Sequence, residues 1–236
     1  MAGRSSERGR SVASKLARIL AVFNADRSRL RASEVCRRTG MPFSTVHRLL
    51  TELVVQELLE HLPDGTYTTG IKLWQIAAPQ PDVSRLRHAA LPAMCDLAVS
   101  LQSCVRLNVL VGDEGLCVEE LCGAHDAHTR HRFGARFELH STAGGHVLLA
   151  YARPKLTQGL PIPVTGQLDR IRRTGVALSR AGTHLSVAVP VFDDAKPTAS
   201  LEVIAVLPVD PNLLITPVRC AGEQASKATT PQTAAS

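Results

Sequence analysis

Three groups of side chains in this sequence have types and spacings suited to chemistry. The first is Ser44, Thr45, His47, Arg48 and Thr51, interleaved with the apolar residues Val46, Leu49, Leu50 and Leu53. On a helix, that interleaving turns the apolar set inward and leaves the hydroxyl, imidazole and guanidinium groups facing out. An outward Arg can donate two bonds to a guanine edge, a Thr methyl can touch thymine, and hydroxyls or imidazole can reach phosphates and bases. Arg48 carries the largest expected share. The second group is Ser141-Thr142-Ala143-Gly144-Gly145, at the head of an apolar helical run. Ser141 or Thr142 can cap that helix, and the small residues leave its free N–H groups open to an approaching carboxylate. A capped helix whose glycines serve only close packing has the same signature. The third group is Cys117, Cys122, His125, His128 and His131. Thiols and imidazoles bind zinc, but this spacing matches no compact tetrahedral ligand pattern, so no metal, cofactor or catalytic residue is assigned.

The first group needs a helix-turn-helix to present it. Val12, Leu16, Ile19, Leu20 and Phe23 recur at helical spacing and predict a first helix over Ser11 to Phe23. Ala32 to Arg38 predicts a second, capped by Arg31 or a neighbour and ended by Gly40, and a third runs from about Phe43 to Glu57 with Pro42 in its first turn. Leu58 to Leu62, the turn Pro63-Asp64-Gly65-Thr66, and Tyr67-Thr68-Thr69 then predict a two-stranded wing. A linker helix over about 70–84 is interrupted at Pro79-Gln80-Pro81, where the domain boundary belongs.

Beyond it, Ser84 to Ser100 has helical spacing, with Pro92 tolerable at a start or kink. Cys104 to Val111 and Leu116 to Leu121 predict a hairpin, Thr142 to Ala152 and Leu168 to Thr174 two helices, and Ser186 to Phe192 and Ser200 to Leu207 strands about a turn at Asp193 to Pro197. The expected layout is a disordered basic arm (1–10), a winged helix-turn-helix (11–78), an α+β domain (85–222) and a disordered tail (223–236) too polar and small to offset ordering entropy.

The charge distribution agrees with that division. Met1 to Ala78 holds 12 Lys or Arg against 7 Asp or Glu, so it carries +5 of the chain's net +6. A basic first module on a nearly neutral second one is the footprint of a chain whose front end meets a polyanion. Aromatic residues make up only 3% of the sequence, so the cores must be built from Leu, Val, Ile and Ala. No apolar stretch approaches the ~20 residues of a membrane span. The opening MAGRSSERGRS does not read as a secretory signal, and the expected location is the cytoplasm. The six scattered cysteines, Cys36, Cys95, Cys104, Cys117, Cys122 and Cys220, read as free thiols in a reducing compartment.

Ser33-Glu34-Val35-Cys36-Arg37-Arg38-Thr39-Gly40-Met41-Pro42-Phe43-Ser44-Thr45-Val46-His47-Arg48-Leu49-Leu50, followed by Asp64-Gly65-Thr66-Tyr67, resembles the DNA-binding module of the IclR family of transcriptional regulators. Leu139 to Gly145 with Leu148-Leu149-Ala150, then Ile171 to Gly175, then Ser186 to Val191, resemble that family's effector domain in the same order. The resemblance covers about Ser11 to Leu207. It implies a GAF-like effector-binding domain with a mixed or antiparallel sheet flanked by helices, a homodimer or homotetramer, and a palindromic operator in double-stranded DNA. It also implies a small organic acid effector, controlling operator binding from a pocket lined by Gly134, His140, Ser141, Thr142, Ala143, Gly144, Ser186 and Ala188. His146 departs from the Lys common in the family after the second Gly, and Lys155 to Gln167 and Ser179 to Ser186 are shorter than usual. The alternative is a DNA-binding protein whose second domain only oligomerises.

Overall fold

The computed structural model describes residues 11–24, 27–78, 81–122 and 133–229. The expected basic arm, residues 230–236 of the expected tail, and His125, His128 and His131 lie outside them. The chain divides into two compact units, Met1–Gln80 and Pro81–Ser236.

In the first unit α1 (Val12–Leu20), α2 (Ala32–Thr39) and α3 (Phe43–Val55) enclose Ile19, Val35, Val46, Leu49, Leu50 and Leu53, the stripe that the sequence spacing turns inward. Ser11 caps α1, its hydroxyl accepting from the Ser14 N–H at 3.1 Å. At α2 the cap is made from the other side: Arg31 sits at the cap position without bonding through its side chain, and the Glu34 carboxylate accepts the Arg31 N–H at 2.9 Å. Gly40 ends α2 in the left-handed region at φ 66°, where a Cβ would be strained, and its N–H donates to Cys36 O. The Arg18 guanidinium donates to the Thr39 carbonyl, tying α1 to this turn. Pro42 stands just outside α3, at its cap.

The wing has three strands where the sequence suggested two: β1 (Arg29–Leu30), β2 (Leu59–His61) and β3 (Tyr67–Thr69), in the order β1-β3-β2. Two residues are too few to show a period, which is why β1 is invisible in the sequence. The linker helix is shorter than expected. It spans only α4 (Ile71–Ala77), and Pro81 already belongs to the next helix.

The second unit is built on a six-stranded, wholly antiparallel sheet in the order β6-β5-β4-β9-β8-β7. Its strands are β4 (Cys104–Val111), β5 (Glu114–Leu121), β6 (Arg136–Glu138), β7 (Ala177–Ala181), β8 (His184–Asp193) and β9 (Lys196–Val206). The β8–β9 turn carries Asp194 and Ala195, both at positive φ, the twist that a two-residue hairpin turn requires. One face of the sheet, including Leu107, Val187, Leu201 and Val203, packs with α5 (Pro81–Leu101) and α9 (Pro211–Thr229). On the other face α6 (Ala143–Ala150) and α8 (Ile162–Thr174) bury Val147, Leu148, Leu168 and Ile171 beside Phe137, Ala177 and Ala188. The short α7 (Pro154–Thr157) links them.

The expected disordered tail is corrected by α9, which continues to Thr229. Leu214, Val218, Ala221, Ala225 and Thr229 are buried at helical spacing, and the Thr229 hydroxyl donates to Phe192 O at 2.7 Å. Small residues here are a means of close approach: a Cβ on Gly222 would lie 2.5 Å from Val189. Composition alone reads such a segment as too poor in apolar surface to order. Among the described residues no helix is long and apolar enough to cross a membrane.

Candidate functional site

The exposed face of α3 holds Ser44, His47, Arg48 and Thr51, with Thr45 half-buried at its edge. Among the described residues, Arg48 makes no hydrogen bond or ion pair, so its planar fork of donors is uncommitted. Thr51 is partly committed, since its hydroxyl donates to His47 O at 3.0 Å. Sequence reasoning missed Phe43, which is 58% exposed at the head of α3 with its ring centroid 5.9 Å from that of His47. Its spacing from Val46 places it at the margin of the inner stripe, and only the helix end leaves it uncovered. An apolar ring there can meet a thymine methyl.

The same unit exposes further basic groups. Arg29, Arg31, Arg37 and Arg38 are exposed. At the wing tip Asp64 Oδ1 accepts from the Thr66 hydroxyl at 2.6 Å and the Thr66 N–H at 2.9 Å, which fixes the turn. Those bonds, with smaller help from the Arg29 and Arg31 charges, hold the Asp64 carboxyl below its usual range. The two guanidiniums therefore stand near the wing, where phosphates can be neutralised.

In the second unit the predicted residues separate into two sets. Thr142 caps α6, its hydroxyl accepting the Gly145 N–H at 2.9 Å, and Ala143, Gly144 and Ala188 are buried around it with Ser186 half-buried. Gly134, His140 and Ser141 are exposed; His140 pairs with Glu138 at 3.2 Å, and the Ser141 hydroxyl donates to Glu138 O. His146 takes a bridging place: the Gln167 amide donates to Nδ1 at 3.2 Å, leaving Nε2 to donate to His140 O at 3.0 Å. Burial lowers its pKa from 6.5, so the ring is neutral near pH 7.

The sheet supplies what the sequence did not reveal. Arg106, Asn108, Ser200 and Glu202 are all buried, on β4 and β9, with Arg106 opposite Glu202 and Asn108 opposite Ser200. Arg106 Nε donates to Glu120 at 2.8 Å, and Asn108 Nδ2 donates to Glu202 Oε2 at 3.4 Å. Burial raises the Glu202 pKa, against the Arg106 charge and the nearby Gly144 N–H and Ser186 hydroxyl, which favour its charged form. Three atoms in the cluster, Arg106 Nη2, Asn108 Oδ1 and Glu202 Oε1, have no partner among the described residues. A Cβ on Gly144 would come within 2.6 Å of Asn108 Nδ2 and 2.8 Å of Glu202 Oε2, so the start of α6 lies directly on this cluster.

The expectation of six free thiols is corrected. Cys104 and Cys122 are joined by a disulfide, with Cα atoms 4.2 Å apart, because β4 and β5 pair so that the start of one meets the end of the other. Their sulfurs and a Glu120 oxygen lie within 4.8 Å of one another, but the bond leaves Glu120 as the group's one ordinary metal ligand. Burial pushes the Cys117 thiol up to about 12, so it stays protonated rather than nucleophilic.

A winged helix-turn-helix with an exposed polar recognition face, on a chain whose second unit holds a buried polar cluster under a helix N-terminus, defines a DNA-binding regulator with an effector domain. Residues 12–63 match the family model of the IclR helix-turn-helix domain, and residues 82–160 match that of the bacterial transcriptional regulator IclR C-terminal domain. Together the two matches span more than half of the chain, and the chain belongs to the IclR family of transcriptional regulators, whose members are not enzymes. It is 29% identical to the glycerol operon regulatory protein of Streptomyces griseus over 76% of this chain and 78% of that protein. It is also 29% identical to the transcriptional regulator XynR of Escherichia coli, over 56% of this chain and about half (53%) of XynR. Its structure resembles that of an IclR homolog from Microbacterium hydrocarbonoxydans complexed with 4-hydroxybenzoate, at TM-score 0.86 and 26% identity, over 93% of this chain and 99% of that one.

Proposed function

We propose that this chain binds an operator through α3 and that a small organic effector, bound beside the start of α6, controls that binding. Ser44, Thr45, His47, Arg48 and Thr51 enter the major groove, with Arg48 bidentate to a guanine and Phe43 against a thymine methyl. The observation that carries the reading is the uncommitted Arg48 on an exposed polar face whose opposite side is fully packed. The effector reading is supported by the buried, unpartnered polar atoms of β4 and β9 and by the 4-hydroxybenzoate held by the structural relative. Thr142, Ala143, Gly144, Ser186 and Ala188 border the site, with Gly134, His140 and Ser141 at its exposed margin.

Two copies acting on a palindrome are supported by α4, which buries none of its residues and exposes Ile71, Trp74 and Ile76. The second reading, a domain that only oligomerises, is favoured by the tight packing of Gly144 on Glu202 and Asn108. Footprinting on the DNA flanking the protein's own gene, with and without a panel of small aromatic acids and their neutral analogues, separates the two. A protected palindrome whose occupancy changes with a ligand supports regulation by an effector. Protection that no ligand changes supports the oligomerisation reading, and no protection on any duplex ends the DNA proposal.

A further inference from the structure

We propose that Glu202 is this protein's own substitute for a ligand carboxylate: it fills the anion position at the start of α6, so an effector bound there presents a hydrogen-bond-donating head such as a primary amide. The inference rests on the effector reading above and narrows its ligand class.

The start of an α-helix leaves its first N–H groups without partners and favours an anion. In α6, Thr142 satisfies the Gly145 N–H, and Glu202 Oε2 lies against Gly144, 2.8 Å from where a Cβ there would stand. Burial raises the Glu202 pKa, while the Arg106 charge, the Gly144 N–H and the Ser186 and Asn108 donors favour its charged form. The side chain is 1% exposed and reaches this place because it faces α6 from β9, on the row that includes Arg106 and Ala188. A ligand carboxylate would have to sit beside this one, and two carboxylates sharing a site cannot both stay ionised. Arg106 cannot offset both charges, since its Nε already serves Glu120.

The atoms left without partners describe the complement. Arg106 Nη2 needs an acceptor, whereas Asn108 Oδ1 and Glu202 Oε1 need donors. A carboxylate offers acceptors alone: it would leave Asn108 Oδ1 unpaired, and it could pair with Glu202 only if Glu202 took up a proton and ceased to be the anion at α6. A primary amide offers one carbonyl oxygen and two N–H donors, which is that set matched one to one.

The test uses the full chain and Glu202→Ala, with Glu202→Ser, which leaves nearly the same space for formate, should the alanine protein fail to fold. Formate is added against a chloride background, and the thermal midpoint is followed. Formate should raise the midpoint of the alanine variant by several degrees and leave the wild type indifferent, because it replaces the missing carboxylate. Equal response of the two proteins overturns the assignment of Glu202 as the resident anion. In the same proteins 4-hydroxybenzamide and 4-hydroxybenzoate are then compared by calorimetry. The wild type should prefer the amide by about tenfold or more, and either variant should shift toward the acid. Equal or tighter wild-type binding of the acid, or binding of neither, overturns the donor-head assignment. A mobility shift on the footprinted DNA without ligand keeps this result apart from the DNA reading: DNA binding that persists while both ligand arms fail removes this inference alone.

Discussion

On α3 the guanidinium, imidazole and hydroxyl groups face water, while on β4 and β9 a guanidinium, an amide and a carboxylate face the protein interior. The first set needs no partner in the folded chain, because water solvates it until DNA replaces the water. The second set is costly wherever a lone pair or N–H goes unmet, and three of its atoms are unmet. Solvated polar groups leave a readable gap in an apolar period. Buried ones interrupt a strand whose other face is wholly apolar, and there is nothing in the chain order to say which neighbours they will meet.

The largest effect is expected at the packing beneath the exposed face. Leu49→Ala, at a side chain 1% exposed, should cost ~2–5 kcal/mol of stability in the first unit and abolish DNA binding. Equilibrium denaturation followed by circular dichroism measures it, and a loss below about 1 kcal/mol would mean that the stripe is not the core. On the opposite face of the same helix, Arg48→Ala should weaken specific binding by ~1–3 kcal/mol while changing stability by less than about 0.5 kcal/mol. Titration on specific and random duplexes distinguishes roles: equal weakening on both makes Arg48 a phosphate contact instead of a base reader.

On the buried side, Thr142→Ala removes the cap on α6 and should cost ~1 kcal/mol in thermal or denaturant unfolding of the second unit. DNA affinity without ligand should not change. The smallest effect is that of His146. Its pKa is lowered on folding, so its contribution is present above pH 6.5 and is lost as the pH falls below that value. Thermal midpoints of wild type and His146→Asn, compared between about pH 7.5 and pH 5, should diverge in slope, the wild type losing more on acidification. Parallel curves would show that the ring is not held in its neutral form.

Much of the fold was legible. The spacing of Val46, Leu49, Leu50 and Leu53 placed α3, Gly40 placed the turn before it, and Asp64-Gly65 placed the wing. Cys104 to Val111 was read with its observed limits. Where reading failed, the signal was short or compositional. β1 has only two residues, and α9 is made of small side chains whose burial depends on how closely β8 allows them to approach. In the candidate effector site, Thr142, Ala143 and Gly144 were legible as a helix start, whereas Arg106, Asn108 and Glu202 were read merely as members of strands. Glu202 becomes informative once β9 lies next to β4 and beneath Gly144, three segments far apart in the chain.

The sequence alone determined the amphipathic helices, the turn glycines and the basic charge of the first unit, since each is set by residues within a few positions of one another. Tertiary structure decided the disulfide between Cys104 and Cys122, the ordering of α9 and the company that Glu202 keeps. Those depend on strand pairing and on the low dielectric of the interior, where one unpaired oxygen matters more than many solvated charges.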